Sequence, residues 1–302
     1  MLKRRCSNYR QSPFLIHPSL GTDMLLTDST SIITRNKVRV LQIENSLAKA
    51  EISLFGGHLL SFIPKHDNRE RLWVSDKAIF DGKKAIRGGI PICWPWFGDH
   101  TSRNDLAAHG YVRTQTWDIL NTEDTDKGTT IRLKPPTSAG DGFESNAQLT
   151  LVVHVGKKLS IQLHTTNLGD NPLSYNCALH SYFAISDINQ CKLLGLSEQY
   201  SDKTRDDQIF DTPQPYRFSE ETDRVHREQP KTLTIIDKHL EAEILSLGHD
   251  CIVVWNPWQD KSISMADMAD DSYKTMLCVE TAITQGQNVV PKATHVLEQI
   301  IK

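Results

Sequence analysis

Strand-length runs of alternating or β-branched residues follow one another along almost the whole chain, and this succession constrains the fold more than any other feature. VRVLQIE (38–44), LAKAEISLF (47–55), TWDILNTE (116–123) and AQLTLVVHVGKKLSIQLHTTNLG (147–169) come first. SYNCALHSYFAISDI (174–188), TLTIID (232–237), CIVVWN (251–256) and MLCVETA (276–282) follow. Alternation with a period of two fits strands with one buried face, and Gly156-Lys157 and Gly169-Asp170-Asn171-Pro172 punctuate the runs as turns. Helical spacing is scarce; KHLEAEILSLG (238–248) is the best example, and it reads equally well as a strand. Strands without intervening helices predict an all-β sandwich of antiparallel sheets rather than βαβ units.

A chain of 302 residues can bury a sizeable core in one large all-β domain. No linker or shift of composition divides it after the first segment, so residues 1–30 are expected as an N-terminal appendage and 31–302 as one domain. The net charge of −3 argues against a nucleic-acid partner, which calls for a basic face. No apolar run approaches the ~18 residues of a membrane span. The opening MLKRRCSNYRQSPFLIHPSL is basic but lacks the continuous apolar centre of a signal peptide. The six cysteines are scattered, without a C-x-x-C, and Cys93, Cys177 and Cys278 lie in apolar runs where a thiol acts as a small hydrophobe. A reduced, cytoplasmic, monomeric protein is expected.

No phosphate-binding glycine loop, dinucleotide fingerprint, H-E-x-x-H or G-x-S-x-G is present, which leaves acid–base chemistry. Two titratable groups have the wrong neighbours. His180 lies in CALHSYFAI and Glu280 in MLCVETAI. Burying a carboxylate in an apolar strand is costly unless it is paired or used, and desolvation raises its basicity. Read singly, each residue is better explained structurally, His180 as a core histidine bonded to a carbonyl and Glu280 as an edge residue turned to water. The segment AIRGGIPICWPWFGDH (85–100) sets Arg87 before two glycines and three large aromatics, and Arg113 closes AAHGYVR (107–113). Guanidinium forks match phosphate or carboxylate oxygens, though spacing alone does not make these two a phosphate site. Of Trp94, Trp96 and Phe97, alternation sends at least one to the core. Trp255 and Trp258 are read as core, and DMADD (267–271) as a solvated loop.

IRGGIPICWPWFGDH, AAHGYVRTQTW, LHSYFAISDI and WNPWQDKSISMADMADDSYKTMLCVETA occur in that order. In this the chain resembles the glucose-6-phosphate 1-epimerase (hexose-6-phosphate mutarotase) family of the galactose mutarotase-like superfamily, over nearly all of the expected domain. The resemblance implies a β-supersandwich with a shallow cleft on one face. It implies a catalytic pair at His180 and Glu280, and phosphate- and sugar-binding arginines at Arg87 and Arg113. It further implies a substrate-binding aspartate at Asp223 of EETDRVH, with His109 also contacting substrate. Many relatives carry glutamine immediately before this histidine; Ala108 stands there, so that contact is absent or replaced. Trp94 is expected among the substrate-binding side chains, because aromatic surfaces receive the C–H faces of sugars.

The implied reaction interconverts the α and β anomers of hexose 6-phosphates. Glu280 takes the proton of the C1 hydroxyl while His180 delivers one to the ring oxygen; the opened aldehyde rotates and recloses. Neither metal nor cofactor is required. Two rivals remain: a mutarotase for free aldoses, and a non-catalytic sugar-phosphate-binding module on the same scaffold.

Overall fold

A computed structural model of the chain describes residues 26–238 and 241–302. The strands Thr30–Arg35, Val38–Glu44, Ala48–Ser53 and His58–Pro64 form a four-stranded sheet in chain order. A second sheet, called here the outer sheet, runs from Lys192–Leu194 through Thr232–Ile236, Glu241–Leu247, Thr294–Ile301, Leu159–Asn167, Ala147–Val155 and Gly128–Lys134 to Asp118–Thr125. The third, the cleft sheet, begins with Gln208–Asp211, Gln199–Asp202 and Thr222–His226. It continues through Cys251–Asn256, Met276–Val289 and Leu173–Leu179 to Ile92–Cys93, and Tyr182–Ala184 also pairs with Met276–Val289. Every pairing between these strands is antiparallel, as the alternation predicts. The segment 238–248 resolves as the strand Glu241–Leu247, while its residues 239 and 240 lie outside the described residues.

Strand alternation decides which side chains are buried. In Ala147–Val155 and Leu159–Asn167, Leu149, Leu151, Val153, Leu159, Ile161 and Leu163 point inward while their neighbours are partly exposed. Burying each such side chain is worth roughly 1.5–3 kcal/mol. One contiguous apolar cluster joins all three sheets, with Leu41 and Ile52, Leu151 and Leu163, and Val254 and Val279 among its members. Cys251–Asn256 and Met276–Ile283 are different, being buried on both faces. One face meets the core and the other forms the floor of a cleft.

Thr30–Arg35 begins before the expected start of the domain, and Ser29 Oγ donates to Asp124, so packing includes residue 29. Residues 1–25 of the expected appendage, and Cys6 with them, lie outside the described residues. Cys93, Cys177, Cys191, Cys251 and Cys278 are buried free thiols. Among the described residues no helix is long and apolar enough to cross a membrane.

Candidate active site

Antiparallel register sets the cleft floor out in rows. Asp223 pairs with Trp255, Trp255 with Cys278, and Cys278 with Tyr182. In the next row on the same face, Val225 pairs with Val253 and Val253 with Glu280. Cys93, Ala178, Val225, Cys251, Val253 and Ala282 form a cluster of mostly small side chains beside them. Val253 of this cluster also lines a cavity of about 440 Å³.

His180 sits at the break between Leu173–Leu179 and Tyr182–Ala184. Its N–H donates to Pro91 O at 3.2 Å, and its ring stacks on Tyr182 with centroids 4.8 Å apart and planes 7° apart. Behind it, Ser181 Oγ donates to Gln299 Oε1 at 2.5 Å. The Gln299 amide then donates to Val279 O at 3.2 Å and Thr281 Oγ1 at 2.8 Å. One buried amide on the outer sheet therefore fixes the residue after His180 and both neighbours of Glu280.

His180 Nδ1 lies 3.4 Å from Glu280 Oε1, but the contact lacks hydrogen-bond geometry, and neither His180 Nδ1 nor Glu280 Oε2 has a hydrogen-bond partner. Burial pushes the Glu280 carboxyl well up, helped by the Asp223 carboxylate and opposed by Lys203. Burial pushes the His180 imidazolium well down, helped by His109, Arg87 and Arg113. Burial thus works against an ion pair here, disfavouring both the carboxylate and the imidazolium.

Arg87 reaches the cleft from a backbone that approaches its neighbours closely. Gly89, at φ +63°, donates to Trp73 O at 2.6 Å and accepts from Tyr182 N–H at 2.9 Å. A Cβ there would stand 2.1 Å from Leu59 O, so only glycine fits. Arg87 Nη1 donates to Tyr182 Oη at 3.1 Å and Nε to Asp267 Oδ2 at 3.2 Å. Arg113 spends one donor on Ala108 O at 2.7 Å. The backbone of residue 108 thus engages an arginine although its side chain offers no polar group.

His109 has φ +67° and accepts the Gly98 N–H on Nδ1 at 3.2 Å, which puts its ring proton on Nε2. Burial, with Arg113, Lys203 and Arg87 nearby, holds its pKa down at about 3. Asp223 is raised by burial, against the pull of Lys203 and Lys261.

The cleft brings together Arg87, His109, Arg113, His180, Asp223 and Glu280. It does not include Trp94, which corrects the expectation for that side chain. Trp94 is fully buried and packs edge-on against Phe143 at 4.9 Å and Tyr111 at 6.2 Å. The aromatic from that segment which does face the cleft is Phe97, beside His109 at 5.1 Å. Trp255 is buried as expected, yet one face lines the cleft and meets Tyr182 edge-on at 5.9 Å. DMADD is not simply a solvated loop: Met268 is buried and Asp267 pairs with Arg87. Tyr182, Lys203 and Lys261 also line the cleft; Tyr182 and Lys261 lie within the quoted motifs without having been singled out, and Lys203 lies outside all of them. Lys203 directly follows Asp202, the last residue paired with the Thr222–His226 strand, and lines the cleft together with Asp223.

Ligand atoms of His180, Cys278 and Glu280 lie within 4.8 Å of one another, the one metal-compatible group found among the described residues. Burial and the Glu280 carboxylate hold the Cys278 thiol well above its usual range, whereas zinc ligation requires thiolate.

The profile of the family described as aldose 1-epimerase matches residues 39–301. A protein of Escherichia coli (strain K12), provisionally named glucose-6-phosphate 1-epimerase, is 33% identical over 271 residues, covering 86% of this chain and 90% of its own. A protein of Cenchrus ciliaris with the same provisional name is 35% identical over 252 residues, covering 78% and 75%. Among solved structures, the provisionally named mutarotase YeaD from Salmonella typhimurium superposes with a TM-score of 0.84 at 30% identity, over 91% of this chain and 94% of that one. A galactose mutarotase-like protein from Lactobacillus casei, 17% identical with a TM-score of 0.65, shares the fold over 87% of this chain and 99% of its own. The strand succession read from the sequence is thus that of a galactose mutarotase-like β-sandwich, and the chain belongs to the aldose 1-epimerase family.

Proposed function

We propose that the protein is a hexose-6-phosphate 1-epimerase, interconverting α and β anomers by opening and reclosing the sugar ring. The observation that carries this reading is the buried, unpartnered contact of His180 Nδ1 with Glu280 Oε1 at 3.4 Å, in a cleft rimmed by Arg87 and Arg113. The names of its relatives agree with it.

The two groups share one mobile proton. With that proton on Glu280 both are neutral, the form burial favours; with it on His180 they become carboxylate and imidazolium. Glu280 then takes the proton from the C1 hydroxyl while His180 gives one to the ring oxygen, which breaks the C1–O5 bond and yields the aldehyde. Rotation about C1–C2 presents the other carbonyl face, and the two proton transfers run in reverse. Each positioned transfer is worth ~10²–10⁴-fold in rate. Phe97 and Trp255 offer apolar surface to the sugar, and Asp223 a hydroxyl acceptor. Because the pair interacts strongly, its pH profile belongs to both groups together.

One observation favours the free-aldose alternative: Asp267 already answers part of the charge of Arg87. A coupled assay of α-to-β interconversion separates the readings. Faster turnover of glucose 6-phosphate than of glucose supports the proposal, and equal turnover favours the free-aldose enzyme. Binding of the 6-phosphate without acceleration indicates a binding module.

A further inference from the structure

Four cations line the cleft, and they are not equivalent. Arg87 is paired with Asp267, Lys261 with Glu221 at 2.7 Å, and Arg113 is bonded to Ala108 O. Lys203 makes no hydrogen bond or ion pair among the described residues; its ammonium group lies 5.9 Å from the centroid of the Phe97 ring, over its face. Its charge bears on Asp223, Glu280 and His109 across the cleft, yet its ammonium is engaged in no contact ion pair, which leaves its donors available to a ligand.

Its position is built rather than incidental. Lys203 opens the short 3₁₀ turn Lys203–Arg205, whose N-cap is Asp202. The Asp202 carboxylate is buried, and its Oδ1 accepts both the Thr204 N–H at 3.0 Å and the Thr204 hydroxyl at 2.6 Å. Asp206, at φ +54°, ends the turn, and Asp207 N–H returns to Asp202 O at 3.0 Å. Asp202 Oδ2 stands 3.6 Å from Arg224 Nε, and that guanidinium lies over the rings of Tyr200 and Tyr216. Asp202 and Arg224 do not line the cleft, whereas Lys203, the first residue past the strand, lines it together with Asp223.

We propose that Lys203 is a specificity-determining residue for the anionic group of the substrate, gripping a phosphate dianion together with Arg113 at the His109 end of the cleft, and that Asp202 is the residue that aims it. This rests on the reading of the chain as a sugar-phosphate epimerase. Two further observations agree with it. The charges of Arg113, Lys203 and Arg87 all bear on the His109 ring. That ring, with its proton on Nε2, is a neutral donor among them and adds no fourth positive charge.

The test compares wild type with Lys203→Met, Lys203→Arg and Asp202→Asn, using glucose 6-phosphate, glucose, and inorganic phosphate as a competing probe. Losing a hydrogen bond between charged groups costs about ten- to a hundredfold. Lys203→Met should lower the ratio of kcat/KM for glucose 6-phosphate to that for glucose by such a factor, and weaken inhibition by inorganic phosphate to match. Lys203→Arg should restore most of both. Asp202→Asn should raise KM for glucose 6-phosphate more than it lowers kcat, a split that general loosening of the fold would not give. Unchanged phosphate preference and inhibition in Lys203→Met overturns the inference while leaving the proposed function standing. A wild type with no preference for the phosphorylated sugar overturns both.

Discussion

His180 Nδ1 and Glu280 Oε1 stand 3.4 Å apart in a buried cleft, and the fold supplies no hydrogen-bond partner to His180 Nδ1 or to Glu280 Oε2. Leaving a buried polar atom unsatisfied costs about 1–3 kcal/mol. Such a cost is tolerated where a substrate completes the arrangement. Glu280→Gln keeps the shape and removes the base, so turnover should fall at least ~10²-fold with little change in KM. His180→Asn should act similarly by removing the acid. Measured kcat near the wild-type value in either variant would refute the assignment.

Gln299 ties Ser181 to Val279 and Thr281, and so holds the two strands that carry the pair in fixed relation. Gln299→Leu removes the clamp and strands the Ser181 hydroxyl in the core. We expect a drop in kcat of about tenfold or more, since misplacing a proton-transfer group by roughly 1 Å can cost ~10²-fold. Thermal unfolding should also shift down. Stability lost without any loss of kcat would make Gln299 purely structural.

The fold was legible because alternation records a half-buried strand directly. Leu149, Leu151 and Val153 declare their face in the sequence, and the crystal-like regularity of their burial follows. Met276–Ile283 was legible as a strand but not as a cleft floor, since a stretch buried on both faces has no alternation to show which side meets a ligand. His180 and Glu280 could be singled out because titratable groups in apolar runs need a reason. Trp94 and Phe97 could not be told apart by residue type; backbone register sent the larger ring to the core and the smaller to the cleft. Asp267 and Lys203 carried no local signal at all. Their roles depend on partners far away in the chain, with Asp267 meeting Arg87 across 180 residues.

Metal removal should leave activity intact. If His180 and Glu280 exchange protons with the sugar as proposed, no Lewis acid is needed, and burial favours the thiol form of the nearby Cys278. Exhaustive treatment with EDTA should therefore preserve the rate of anomer interconversion. Activity lost to the chelator and recovered with zinc or magnesium would show that His180, Cys278 and Glu280 serve as ligands instead.

Acid should destabilise the fold through its buried neutral histidines. Burial lowers His58 from 6.5 to about 4, against the pull of its contact with Gly88 O, and His226 to about 3. A lowered folded-state value means that the unfolded chain binds more protons, so this stability is complete above about pH 6.5 and is lost as the pH falls. At pH 5 His58 alone should account for about 2 kcal/mol. Glu70 and Glu280, raised by burial, work in the opposite direction, so the histidine share must be isolated by substitution. Urea unfolding at pH 7 and pH 5 should give a smaller difference for His58→Gln than for wild type, by about that amount. Equal differences would mean that the ring is not held neutral.

The arginines decide whether phosphate is part of the substrate. Arg87 presents its guanidinium to the cleft while bonded to Tyr182 and Asp267, and Arg113 does so while bonded to Ala108 O; each retains donors beyond those contacts. If they hold a 6-phosphate, Arg87→Ala or Arg113→Ala should raise KM for glucose 6-phosphate about ten- to a hundredfold. The ratio of kcat/KM between glucose 6-phosphate and glucose should fall by a similar factor, because the free sugar never engages the clamp. Lysine should rescue only part of the loss, since it keeps the charge without the two-pronged donor geometry. Arginines that merely hold their loops predict another pattern, in which both sugars suffer together and the melting temperature drops. The Arg87 loop makes that alternative concrete, because Gly89 is wedged against Leu59 O and the Asp267 contact spans the cleft wall. Measuring kcat/KM for both sugars alongside Tm in the two alanine variants separates the cases. Equal losses on both sugars would remove the phosphate clamp and leave an epimerase of free aldoses.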